Sequence, residues 1–154
     1  MITWQTDGGR TTVEMRQWFP RPREEVFAFF SDAANLERIT PPWLRFETLT
    51  PLPIAMRPGA TIDYRLRLRG LPLRWQSEIT VWDPPRRFVD EQRRGPYRSW
   101  IHEHELTERD GGTEVRDFVR YAVPGGRWVD RLLVRPDVAR IFDYRRRMLQ
   151  ELLG

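Results

Sequence analysis

The stretch ATIDYRLRLRGLPLRWQSEITVW, residues 60–82, decides the fold. Ile62, Tyr64, Leu66 and Leu68 alternate with Asp63, Arg65, Arg67 and Arg69. Gly70-Leu71-Pro72 then marks a turn, after which Trp75, Ser77, Ile79 and Val81 alternate with Gln76, Glu78, Thr80 and Trp82. A period of two broken by a turn signal predicts two antiparallel strands, each with one covered and one wet face. The set beginning with Ile62 and the set beginning with Trp75 are expected inward, the other two outward.

The same period extends from Leu44 to Val123, punctuated by Pro51-Leu52-Pro53, Pro58-Gly59, Asp83-Pro84-Pro85, Gly95-Pro96 and Gly111-Gly112. Six strands are predicted between those marks, near 44–50, 60–69, 73–82, 87–94, 97–107 and 113–123, close enough together for a meander. A further strand is expected upstream at 11–19. Pro20-Arg21-Pro22 ends it, and Pro22, Glu24 and Glu25 start a short helix that buries Val26, Phe27, Phe29 and Phe30. A second short helix is expected over 33–39, stopped by Pro41-Pro42. After a lid-like segment at 124–135, Pro136 opens a last helix to about Leu153. Val138, Ile141, Phe142, Met148, Leu149 and Leu152 share an arc of about 120° on that helix, and Arg145 lies inside it. A buried arginine there needs a carboxylate or a polar cavity, or it must snorkel past the stripe.

With 154 residues the chain fits one domain, 1–154. Hydrophobic residues at 40% support a core. No apolar run is long enough to cross a bilayer, and residues 1–10 lack the apolar stretch of a secretory signal, so a cytoplasmic protein is expected. The absence of cysteine excludes disulfides, thiolate nucleophiles and Cys-ligated metals. All 26 basic residues are arginine, which excludes Schiff-base and P-loop lysine chemistry. Replacement of every lysine fits GC-rich coding better than a functional demand.

The later strands break the alternation informatively. The face that takes Phe88 also takes Asp90 and Gln92; Trp100 and Leu106 bring His102 and His104; and Val115 and Val119 bring Asp117 and Tyr121. Polar groups would thus point into an aromatic-lined interior, as a small-molecule cavity requires. His102 and His104, with Asp90 or Asp117, have spacing compatible with a metal, but paired strand histidines are commonly hydrogen-bonded, and no metal is expected. Asp117 and Arg145 can equally form a structural ion pair. His102, His104 and Asp117 are the candidates for acid-base catalysis, although no nucleophile accompanies them.

The order strand, two short helices, six strands and a long helix resembles the helix-grip fold of the START-like superfamily, which includes Bet v 1-like proteins and polyketide cyclase/dehydrase domains. It is similar in particular to bacterial ligand-binding SRPBCC proteins through 27–32, 35–44, Gly95-Pro96-Tyr97 with Trp100, His102 and His104, and Asp117 with Val119 and Tyr121. The resemblance implies an α+β fold in which a seven-stranded curved antiparallel sheet carries the C-terminal helix across its concave face. It also implies a cavity for a lipid, polyketide or aromatic metabolite; no cofactor is expected. Related domains occur fused to nucleotide-sugar epimerase-like proteins, which suggests a functional link.

The reading that results is a binder of a small, mainly apolar ligand bearing a polar or anionic group. Its contacts would be Tyr64, Trp75, Asp90, Gln92, Trp100, His102, His104, Asp117, Tyr121, Ile141, Phe142 and Arg145, with Arg145 meeting the anion. The alternative is a cyclase, dehydratase or hydrolase acting on such a ligand through the His and Asp groups. The Arg65, Arg67 and Arg69 row is locally basic but lacks interleaved aromatics, which weighs against nucleic acid. It is compatible with a solvated face or a homodimer contact.

Overall fold

A hairpin that the periodicity did not indicate opens the chain in the computed structural model, which describes residues 2–154. Strand β1 (Ile2–Asp7) pairs with β2 (Arg10–Phe19) across Gly8-Gly9, whose φ values of 56° and 80° are those of a primed hairpin turn that glycine adopts without strain. The sheet therefore has eight strands and not seven. The mixed residues of β1 conceal it: only alternate positions are partly covered, because it is an edge strand.

Helix α1 (Arg23–Phe30) follows, burying Val26 and Phe27. The expected second helix is instead three single 3₁₀ turns at Ala33–Asn35, Glu37–Ile39 and Pro42–Leu44. Asp32 caps the first turn by accepting from the Ala34 N–H, and Pro41-Pro42 prevents the turns from merging. The strand expected at 44–50 shrinks to β3 (Glu47–Thr48). Five long strands complete the meander: β4 (Thr61–Leu68), β5 (Leu71–Asp83), β6 (Arg87–Arg94), β7 (Ser99–Arg109) and β8 (Gly112–Ala122). The spatial order β1-β2-β8-β7-β6-β5-β4-β3 makes β2 the partner of the last strand.

Two face assignments, those of Val81 and Trp82, need correction. Ile79 pairs with Asp90 and Val81 with Val89, so Thr80 is bulged out of the β5–β6 ladder. The bulge reverses the alternation, and Trp82 turns inward, 5.3 Å from the Phe27 ring and 5.9 Å from that of Phe88. The Arg row also breaks: Arg69 adopts φ 50° at the β4–β5 turn and reaches back to Asp137 at 3.1 Å, while Arg65 pairs with Glu47 at 2.6 Å.

The segment after β8 is no lid. A turn of helix, α2 (Arg127–Val129), passes through a π turn (Asp130–Val134) into α3 (Arg135–Leu153) without a break. Buried Asp130 anchors this junction by accepting from the Thr11 and Tyr121 hydroxyls at 2.6 and 2.7 Å. Along α3, Val138, Phe142, Arg145, Leu149 and Leu153 are buried, the one-sided stripe that the periodicity predicts. The apolar core is divided in two. Phe19, Phe27, Phe88, Leu106, Val115 and Leu149 belong to one cluster, and Val13, Met15, Val119, Tyr121, Val138 and Phe142 to the other.

Candidate functional site

Between those two clusters the inner faces of β6, β7 and β8 carry Asp90, His102, His104 and Asp117, and α3 lowers Arg145 onto them. Each sits where period two or period 3.6 demands: His104 is two residues from Leu106, Asp117 two from Val115 and Val119, and Arg145 one helical turn from Phe142 and Leu149. The register sets Asp90 opposite His102 and His104 opposite Asp117, yet the best hydrogen bonds run along the diagonals. His102 Nε2 lies 2.9 Å from Asp117 Oδ1, and His104 Nε2 lies 2.9 Å from Asp90 Oδ2. Arg145 Nη2 donates to Asp117 Oδ1 at 3.3 Å. His104 Nδ1 is 3.2 Å from the same oxygen at an angle too poor for a hydrogen bond, so that contact is electrostatic. The two imidazoles stack at 3.8 Å, and Phe88 stacks on His104 at 4.1 Å.

The electrostatics distinguish the two histidines. Burial disfavours the charged form of both. For His104 the flanking carboxylates Asp117 and Asp90 outweigh burial, and its pKa lies above the ordinary value of 6.5. For His102 burial is reinforced by the neighbouring His104, outweighs Asp117, and holds the pKa below 6.5. Burial would raise Asp117, but the Arg145 charge and the two histidines bring it well below the ordinary carboxylate value. Asp90 is lowered against its burial by His104, then by the charges of His102 and Arg145.

Above this polar layer lies a cavity of about 210 Å³, more than ten times what one water requires. Its walls are largely apolar: Phe29, Phe30, Leu36, Ile39, Leu44, Phe46, Met56, Ile62, Leu66, Leu68, Ile79 and Phe88. Eight of the sequence-derived contacts line it, namely Tyr64, Trp75, Asp90, Trp100, His102, His104, Ile141 and Arg145. Four do not. Gln92 is spent on the β6–β7 connection, donating to the Tyr97 carbonyl at 2.8 Å and accepting from the Tyr97 N–H at 3.1 Å. Asp117, 2% exposed, lies beneath the histidines. The Tyr121 hydroxyl donates to Asp130, and Phe142 packs into the second core cluster.

Sequence reasoning missed the other wall, supplied by the end of α1 and the 3₁₀ turns. Its polar members are satisfied locally: Ser31 donates to the Phe27 carbonyl, Asn35 to that of Phe29 and Thr40 to that of Leu36. The available signal was the apolar Leu36, Ile39 and Leu44 flanking the proline pair. Asp90, His102 and His104 each bring one ligand atom within 4.8 Å of the others, the cluster among the described residues best suited to a metal. However, His104 Nε2 and Asp90 are already bonded to each other, and a metal drawing on both would have to replace that bond.

A family model described as polyketide cyclase/dehydrase and lipid transport matches residues 19–148, and the chain belongs to that family, within the START-like SRPBCC superfamily. Solved structures share the fold at low identity. A Mycobacterium smegmatis protein is 19% identical, with a TM-score of 0.69, 99% of this chain covered and 98% of the other. A Chromobacterium violaceum protein is 13% identical, with a TM-score of 0.73 over 92% and 96%. The major latex-like protein 151 of Panax ginseng is 10% identical, with a TM-score of 0.69 over 95% and 99%. No curated protein sequence matches the chain significantly. No helix among the described residues is long and apolar enough to cross a membrane.

Proposed function

We propose that this protein binds a small, mainly apolar molecule in the cavity between the sheet and α3. The observation that carries the reading is the cavity's division of labour. Aromatic and aliphatic walls supply burial, while one polar layer at Asp90, His102, His104 and Arg145 supplies orientation. The family, whose description includes lipid transport, supports binding of this kind. The test is a titration with the neutral dye N-phenyl-1-naphthylamine, whose fluorescence rises in apolar surroundings. Saturable binding is expected in the wild type. It should weaken at least about tenfold in Ile141→Trp, which puts an indole into the cavity, and persist in Arg67→Ala on the exposed face. Binding indifferent to Ile141→Trp would remove the cavity from the reading.

Acid-base turnover of the ligand is a second reading, favoured by the 2.9 Å bond that gives His102 an orienting carboxylate at the cavity wall. It requires product formation that falls at least about a hundredfold in His102→Gln, the scale of one positioned acid-base group. A bound molecule recovered unchanged from native mass spectra of wild-type protein would decide for binding alone.

A further inference from the structure

The polar layer is bonded internally and still presents an open acceptor to the cavity at His102. Its two carboxylates, Asp90 and Asp117, face Arg145 and the two imidazoles, so each has a partner without a ligand. Asp117 can only accept, so the 2.9 Å contact fixes the hydrogen of His102 on Nε2. A proton on the other nitrogen would make His102 a buried cation, stacked 3.8 Å from the second imidazole. Nδ1 therefore carries a lone pair. Among the described residues it makes no hydrogen bond, and His102, its side chain 10% exposed, lines the cavity beside Asp90 and Arg145, whose Oδ1 and Nη1 are likewise unbonded. His104 has no such atom, because its nitrogens face Asp90 and Asp117.

We infer that the ligand is a neutral molecule with a hydroxyl group, a phenol or alcohol on an apolar skeleton, whose O–H donates to His102 Nδ1. This rests on the cavity reading above and replaces the expectation of an anion at Arg145. An unmatched buried acceptor is costly, so the cavity discriminates against ligands that lack a donor more than an apolar pocket would.

The experiment displaces N-phenyl-1-naphthylamine with 2-naphthol, 2-methoxynaphthalene, naphthalene and 2-naphthoate at pH 7.5. Hydrophobicity alone ranks 2-methoxynaphthalene and naphthalene above 2-naphthol, because they lose less hydration on entry. The expected result is the reverse: 2-naphthol binds about tenfold tighter than either, and 2-naphthoate no tighter than naphthalene. His102→Leu should erase the 2-naphthol preference while retaining naphthalene. The wild-type ranking stands as the test if that variant does not fold. Equal binding of the three neutral compounds, or preference for 2-naphthoate, would overturn the hydroxyl assignment and leave the cavity reading intact. Displacement by none of them, with no saturable dye binding, would overturn both.

Discussion

Asp117→Asn changes one charge and almost no volume, and the structure states what that charge holds. Asp117 lies 2.9 Å from His102, 3.3 Å from Arg145 and 3.2 Å from His104, and is 2% exposed. Among the described residues Arg145, itself 7% exposed, forms its ion pair with Asp117 alone. The substitution leaves the guanidinium buried without its ion-pair partner. Removing one partner of a buried pair costs about 3–5 kcal/mol, a large fraction of the roughly 5–15 kcal/mol of a typical domain. At about 2–4 °C per kcal/mol for a chain of this size, Tm should fall by about 6–20 °C.

Urea unfolding followed by far-ultraviolet circular dichroism measures this directly, with an unchanged slope expected because the exposed surface is the same. The control is Glu47→Gln, which breaks a shorter pair, 2.6 Å to Arg65, with both side chains 53% exposed; its cost should stay below about 1 kcal/mol. Arg145→Met added to Asp117→Asn should cost less than the sum of the single changes by at least about 1 kcal/mol, because the second removes the charge stranded by the first. A loss in Asp117→Asn no greater than in Glu47→Gln would refute the claim that this layer is a coupled ionic unit.

Trp82→Ala should destabilise by about 3 kcal/mol, since its ring packs on Phe27 and Phe88. The same urea assay should find Thr80→Ala, at the bulge, within about 1 kcal/mol of wild type; equal losses would argue that Trp82 faces outward. His104, packed among Asp90, Asp117, His102 and Arg145, has a folded pKa raised above 6.5. Its contribution is complete below pH 6.5 and is lost as pH climbs through the folded value. Denaturation midpoints compared with His104→Gln should therefore converge as pH rises from 6 to 9, and a gap that widens would contradict the assignment. His102 has the opposite sign: its folded pKa is depressed, so its contribution is present above 6.5 and is lost as pH falls through the folded value. Gly9→Ala, at φ 80°, should lower Tm by a few degrees, consistent with about 1 kcal/mol of left-handed strain. No change would indicate that the β1–β2 turn relaxes.

What the sequence made legible follows from which forces are periodic. The inner placement of Asp90, His102, His104 and Asp117 was readable because strand alternation ties each to apolar neighbours on the same face, and Arg145 because the helical stripe includes it. Trp82 was misread because a bulge at Thr80 inserts one residue, and nothing in the alternation of 73–82 announces where a ladder slips. Strand β1 was missed because an edge strand buries too little to impose a pattern. Gln92 and Tyr121 are engaged by hydrogen-bond partners just beyond their own strands, the Tyr97 backbone and Asp130, and do not line the cavity. Period alone cannot supply those partners.

The polar layer also explains why the core is divided. Along β8 the inner residues run Val115, Asp117, Val119; along β7 they run Leu106, His104, His102, Trp100; along α3 they run Leu149, Arg145, Phe142. Each element crosses from one apolar cluster to the other through one ionisable level. Apolar side chains at that level would fuse the two clusters, and replacing a buried ionic set in this way is often neutral or stabilising. Stability is thus a poor reason for the layer to exist. His102 Nδ1 is the one imidazole nitrogen of the layer left without a carboxylate, and His102 lines the cavity. A layer built for folding alone would have no reason to present an unbonded acceptor to the cavity. One built to hold a donor group in an apolar enclosure requires it.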